Sequence, residues 1–88
     1  MIIEPHPSFT KSYRKRIAHS SKLVTRTKER LTLFAQNPSH PLLDDHALRG
    51  KKLQLRAFSV TGDIRIVYLP LAQNHVLLLD IGTHNQVY

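Results

Sequence analysis

The hydrophobic period of this chain changes once, and that change restricts it to a fold that is helical first and sheet-forming last. Before Asn37-Pro38 the apolar residues recur at helical spacing, and after Lys52 they alternate. Phe9, Tyr13 and Ile17 share one helix face, with Lys11, Arg14, Lys15 and Arg16 between them on the outside. Ser8 is positioned to cap a helix that begins at Phe9. His19-Ser20-Ser21 reads as a turn and a second cap. Leu23, Val24, Thr27, Leu31, Phe34 and Ala35 then form the stripe of a longer helix. Lys22, Arg26, Lys28 and Arg30 cover its other side, and Asn37-Pro38 ends it.

Three strands follow from the second period. Leu53, Leu55 and Ala57 alternate with Gln54, Arg56 and Phe58. Thr61-Gly62-Asp63 is a turn signal, after which Ile64, Ile66 and Tyr68 alternate with Arg65, Val67 and Leu69. A loop is expected from Pro70 to Asn74. The apolar run from His75 to Ile81 has the look of a central strand buried on both faces. Residues 1–4 make a short edge strand, stopped by Pro5 and Pro7. The expectation is one α+β domain over residues 1–88: a short N-terminal strand, then a helical hairpin packed on an antiparallel sheet. Residues 37–52 form a long irregular loop, and such loops often carry function.

Charge and composition narrow the function. Thirteen Lys and Arg face six Asp and Glu, a formal charge of +7. That balance attracts polyanions: nucleic acid, the ribosome, a membrane surface or an acidic protein. Cysteine is absent, so no disulfide framework, thiolate nucleophile or Cys-ligated metal is available. The start, Met1-Ile2-Ile3-Glu4-Pro5, reads as no signal peptide. The longest apolar runs fall far short of the roughly twenty residues that span a bilayer. A cytoplasmic protein without a membrane partner is expected.

The histidines at 6, 19, 40, 46, 75 and 84 form no ligand-like spacing, so no metal or other cofactor is expected. No phosphate-cradling Gly-rich loop is present. What remains is a set of His, Arg, Asp and Tyr on strand ends and loops. Such a set suits metal-independent RNA cleavage. One group takes the proton of the attacking 2′-hydroxyl, one protonates the leaving 5′-oxygen, and a cation steadies the phosphorane.

Three blocks carry a resemblance to a known family. Asp44-Asp45-His46-Ala47-Leu48-Arg49-Gly50 resembles the catalytic loop of YafQ-type toxins. Leu55-Arg56-Ala57 through Gly62-Asp63-Ile64-Arg65-Ile66-Val67-Tyr68 is similar to the central hairpin of RelE, YoeB and YafQ. Ile81-Gly82-Thr83-His84-Asn85-Gln86-Val87-Tyr88 is similar to the family's closing motif with its terminal aromatic. On these motifs the chain resembles the RelE/ParE superfamily of type II toxins, with the YafQ branch favoured by His46 and His84.

The resemblance implies a ribosome-dependent endoribonuclease that cleaves messenger RNA and stops translation. It makes His84 the proton donor to the leaving group and His46 the loop histidine of proton transfer. Asp63 orients a histidine near the phosphate, Arg65 steadies that phosphate, and Tyr88 positions a base. Lys51, Lys52 and Arg56 would hold backbone phosphate or ribosomal RNA. The family's second, strand-borne histidine is replaced here by Phe58 or Ser59, which leaves Phe58 to stack on a nucleobase. The implied partners are a cognate antitoxin, the 70S ribosome with its message, and operator DNA for the toxin–antitoxin complex. Two other readings stay open. One is a ParE-like toxin that binds gyrase without a nuclease site; the other is an inactive relative that binds only its antitoxin. Plain structural roles compete as well: Arg65 pairing with Asp63 across the turn, and Tyr68 as core.

Overall fold

A computed structural model describes residues 1–52 and 54–88. The chain runs β1 (Ile2–Pro5), α1 (Pro7–Arg16), α2 (Ser21–Gln36), a 3-10 turn (Pro41–Leu43), β2 (His46–Ala47) and a second 3-10 turn (Gly50–Lys52). It continues through β3 (Arg56–Ser59), β4 (Ile64–Ala72), β5 (His75–Thr83) and a final turn of helix, α3 (His84–Val87). The period-2 half folds as an antiparallel meander, β3-β4-β5. The sheet order is β1-β5-β4-β3-β2.

Two features differ from the expected antiparallel sheet. The edge strand β1 pairs with β5 in parallel, Ile2 beside His75 and Pro5 beside Leu78, so the sheet is mixed. The irregular loop also contributes a strand: His46 and Ala47 pair with Ala57 and Arg56. Two residues without apolar alternation leave no periodic signal from which to read a strand. The expected Pro70–Asn74 loop is shorter, because β4 runs on to Ala72 with a register shift between Pro70 and Ala72.

Helix α1 starts at Pro7, two residues before the expected start, with His6 rather than Ser8 as its cap. The His6 ring accepts from the Ser8 amide at 3.0 Å. Pro7 fits the first helical position, where a missing N–H costs nothing. The Ser8 hydroxyl donates instead to the Leu79 carbonyl at 2.7 Å and ties the helix start to β5. Ser20 caps α2 as expected, accepting from the Leu23 amide, and the helix ends at Asn37.

The sheet face under α1 and α2 holds the main core. Phe34 of α2 lies flat on Phe58 of β3, centroids 4.4 Å apart, and Tyr68 of β4 meets Phe34 edge-on at 4.9 Å. Ile17, Leu43, Ile66 and Ile81 are fully buried around them. Burying an aromatic of this size contributes about 1.5–3 kcal/mol. Phe58 is wholly buried in this stack, which overturns its expected role as a platform for a nucleobase. Alternation along β3 sends its side chain to the helix face.

The opposite sheet face carries a smaller apolar patch of Leu48, Ala57, Val67 and Val87. Val87 reaches it because α3 folds back across the end of β5. Around this second face stand His46, Arg65, His84 and Tyr88.

Candidate functional site

The register of the sheet decides which side chains share the second face. Ala57 pairs with both His46 and Val67, and Ser59 pairs with Arg65. Side chains directly opposite one another point to the same side. His46, Ser59 and Arg65 therefore stand with Ala57 and Val67, away from α1 and α2. The α3 turn adds His84 and Tyr88 from above.

His46 is held by local geometry. Asp44 adopts a left-handed backbone, with φ of 47°, a conformation that Asp tolerates better than most residues. It turns the chain from the 3-10 turn into β2. The carbonyl of Asp44 then faces the His46 ring, with Nδ1 2.8 Å away. A carbonyl oxygen only accepts, so Nδ1 carries a proton and donates it. In the neutral ring this leaves Nε2 as the acceptor. The Tyr88 hydroxyl lies 3.4 Å from that Nε2.

Asp45 anchors the same loop on its other side. Its carboxylate accepts from Arg56 Nε at 2.9 Å and from the Tyr68 hydroxyl at 2.5 Å. Partial burial works against the Arg56 charge, but the bonds and charges of Asp45 and Tyr68 together outweigh it and raise the guanidinium pKa. Burial, reinforced by Asp45, raises the Tyr68 pKa well above its ordinary value. Arg56 shares a register position with Tyr68, on the helix side of the sheet. Arg56 thus has an ion pair that fastens the loop, on the opposite sheet face from Arg65. Tyr68 is core, as read, with a polar tip that sequence reasoning missed. Spacing gives no sign of a partner 23 residues away.

Tyr88 gathers the remaining groups. Its ring stands edge-on to His84, centroids 4.5 Å apart, and to His46 at 6.4 Å. Burial raises the Tyr88 pKa, while the nearby positive charge of Arg65 opposes the rise. Arg65 itself donates to the Ser59 hydroxyl and reaches toward the Thr61 carbonyl at 3.5 Å. It forms no ion pair with Asp63 among the described residues. Those neutral partners fix the guanidinium and leave its charge unspent.

His84 is presented by two supports. The Thr83 amide donates to Gln86 Oε1 at 2.8 Å, and the Tyr88 amide donates to the His84 carbonyl at 3.0 Å. The His84 side chain is exposed. Below, Arg16 donates to the Ile81 carbonyl at 3.0 Å and pairs with Asp80 at 3.1 Å, pinning the end of β5 to α1.

The other expected residues fall out differently. Asp63 sits exposed at the hairpin tip and meets neither histidine: its amide donates to Thr61 Oγ1, and its carboxylate makes no hydrogen bond among the described residues. Lys52 donates to the Val87 carbonyl at 2.7 Å and holds down α3. The Lys51 side chain lies outside the described residues. His6 and His40, assigned no role from sequence, cap α1 and the first 3-10 turn. His75 pairs with Glu4 across β5 and β1 at 3.0 Å.

Among the described residues no three His, Asp or Glu side chains are grouped to hold a metal ion, and no helix is long and apolar enough to cross a membrane. The site gathers two imidazoles, a phenol and a guanidinium on the sheet face opposite α1 and α2. That set can exchange protons and hold an anion.

No protein-family model and no curated protein matches the chain. Solved structures do. A conserved hypothetical protein of Helicobacter pylori is similar at 27% identity, with a TM-score of 0.70 over 100% of this chain and 99% of the other. YafQ from Escherichia coli is similar at 23% identity and a TM-score of 0.76, over 98% of this chain and 96% of its own. YafQ also matches as it stands in the DinJ-YafQ toxin-antitoxin complex, with a TM-score of 0.74. A YoeB/ParE toxin from Agrobacterium tumefaciens matches at 15% identity and a TM-score of 0.77, over 96% of this chain and 99% of its own. The chain has the fold that YafQ and the YoeB/ParE toxin share, a small α+β domain with a five-stranded mixed sheet.

Proposed function

We propose that this protein is the toxin of a toxin–antitoxin pair and a metal-independent endoribonuclease that cleaves messenger RNA on the ribosome. The observation that carries the reading is the convergence of His46, His84 and Arg65 around Tyr88 on the sheet face opposite the helices. Two proton carriers beside a cation are what phosphodiester transfer asks for; a surface that only binds needs neither imidazole.

In this mechanism Nε2 of His46 removes the proton from the ribose 2′-hydroxyl. The 2′-oxygen forms its bond to phosphorus, and the bond from phosphorus to the 5′-oxygen breaks. His84, protonated, gives its proton to that leaving oxygen. The products are a 2′,3′-cyclic phosphate and a free 5′-hydroxyl. Arg65 offers its fixed fork to the non-bridging oxygens as charge builds on them. Tyr88 keeps the rings apart and presents its face to the adjoining base. The site is shallow, so the ribosome supplies much of the substrate geometry.

The neighbour's DinJ partner supports a cognate antitoxin here, an acidic segment laid against the basic surface. A cytoplasmic location and an operator-bound complex belong to the same reading. Cleavage mapping on ribosome-bound message tests it. Breaks are expected with the wild-type protein and should fall about 10²-fold with His84→Ala. DNA damage on induction, with the message intact, would assign the fold's gyrase-binding role instead.

A further inference from the structure

Beside the proposed site, on the far side of Arg65, the surface opens into a groove of about 320 Å³. Its walls are Arg26 and Arg30 of α2, Leu42, the Thr61-Gly62 turn, Ser59 and Arg65. The volume lies near the lower limit for small-ligand sites, about 300–1,000 Å³. Among the described residues three guanidinium groups line it and no carboxylate does. Glu29 lies 3.7 Å from Arg26, but both side chains are exposed, and such a pair contributes little. Asp63 follows Gly62 in the chain but does not line the groove.

Two of the three cations are set in place by neutral oxygens. Arg30 donates to the Leu42 carbonyl at 2.9 Å, and Arg65 to Ser59 and Thr61. Both guanidinium groups are thereby oriented while their charge stays available. Thr61 adds a donor: its hydroxyl oxygen accepts from the Asp63 and Ile64 amides at 3.2 and 2.9 Å, so its own proton is left for an acceptor in the groove.

We propose that this arginine groove binds an RNA phosphate next to the one that is cleaved, so that Arg65 bridges two successive phosphates of one strand. The inference rests on the endoribonuclease reading and extends it by a second anchoring point. Continuity favours RNA over an acidic peptide: Arg65 belongs both to the groove and to the cluster around Tyr88. A strand lying in the site has to leave it past this residue. Arg26 and Arg30 then hold that strand in line, which positions the scissile bond without touching it.

The probe is a short RNA oligonucleotide with every 2′-hydroxyl methylated, which binds and cannot be cut. Wild-type affinity should fall linearly on a log–log plot against salt. Arg26→Gln with Arg30→Gln should weaken binding on the order of tenfold and flatten that slope by about 0.7 for the one lost phosphate contact. Arg26→Lys with Arg30→Lys, which keeps the charge, should restore the slope. Thermal melts check the fold. Arg26→Gln alone, which cuts only the loose pair with Glu29, keeps the test open if the double variant unfolds.

No binding by the wild type, or an unchanged slope in the glutamine variants, overturns the groove. So does a loss confined to an acidic antitoxin peptide with RNA binding intact. Cleavage of ribosome-bound message, read with His84→Ala, decides the nuclease separately. Cleavage with an unchanged slope removes only the groove; a flattened slope without cleavage removes only the nuclease.

Discussion

The ring of His84 meets Tyr88 edge to face, with planes at 81° and centroids 4.5 Å apart. This contact joins the last residue of the chain to the exposed imidazole and sets where that imidazole points. Aromatic pairs in this geometry contribute about 0.5–1.5 kcal/mol beyond burial. The phenol's hydroxyl, by contrast, stands at a long 3.4 Å from His46. The ring therefore matters more than its oxygen. Tyr88→Phe should keep most message cleavage, and Tyr88→Ala should lower it about tenfold, the upper end of that contact energy. Equal losses in the two variants would put the hydroxyl in the chemistry.

Asp45 supports His46 from beneath. Its carboxylate side chain is 10% exposed and takes the hydrogen bonds of Arg56 and Tyr68 at once. Asp45→Asn keeps one acceptor, loses the charge and leaves Arg56 uncompensated. Arg56 is 39% exposed, so water screens part of that cost. A stability loss of about 1–2 kcal/mol is expected in urea unfolding, less than for a fully buried pair. His46→Gln should instead leave stability within about 0.5 kcal/mol and remove cleavage. A cleavage loss in His46→Gln that tracks its unfolding would demote the imidazole to a structural part.

Alkaline pH reports on Tyr68. Burial first, and Asp45 second, raise its pKa in the folded protein. The folded state then holds a proton that the unfolded state releases from about pH 10 upward. The unfolded state binds fewer protons there, so stability is fully present below pH 10 and declines above it. Tyr88, raised in the same direction by burial, adds to the decline. Urea midpoints from pH 8 to 11 should fall less steeply above pH 10 for Tyr68→Phe than for the wild type. Parallel curves would show that the Tyr68 proton is not held more tightly on folding.

Sequence pattern reached different depths in different parts of the molecule. The Phe9-Tyr13-Ile17 stripe and the alternation from Ile64 to Tyr68 are periodic, and periodicity reports burial directly. Both helices, the meander and the edge strand at Ile2 followed from it. The parallel pairing of β1 left no trace, since four residues carry no directional signal. His46, Arg65, His84 and Tyr88 were singled out by motif resemblance; register puts the first two on one face and α3 adds the other two. Phe58 was misplaced, and Arg56 was set beside Arg65 although the sheet separates them, for one reason. Motif order ignores the two-residue alternation that sends both to the helix side. Arg26 and Arg30 read only as the basic outer side of a helix, either solvated or gripping ribosomal RNA, because a groove between a helix and a hairpin turn exists only once both are folded.

Gly82 carries the last prediction. It is buried where β5 turns into α3. A Cβ there would lie 2.6 Å from Gln86 Oε1 and 2.7 Å from the Arg16 guanidinium. Both atoms are tips of flexible side chains, so Gly82→Ala can fold by pushing them aside. Each tip is in use, however. Gln86 Oε1 accepts the Thr83 amide that starts α3, and Arg16 donates to Ile81 and Asp80. Displacing them should cost about 1–3 kcal/mol, the range for overpacking. It should also lift α3, taking His84 and Tyr88 with it, so cleavage should fall although no reacting group is removed. Adding Gln86→Ala to Gly82→Ala removes the Oε1 contact but leaves Arg16 and the Cβ of residue 86 at 3.1 Å, so it should relieve part of the crowding and return part of the stability. The cleavage rate should stay low, because the Thr83 amide has still lost its partner. A double-mutant cycle over the two positions, read in both stability and rate, separates these effects. Recovery of rate and stability together would mean that crowding alone, and not the Gln86 tie, governs where His84 stands.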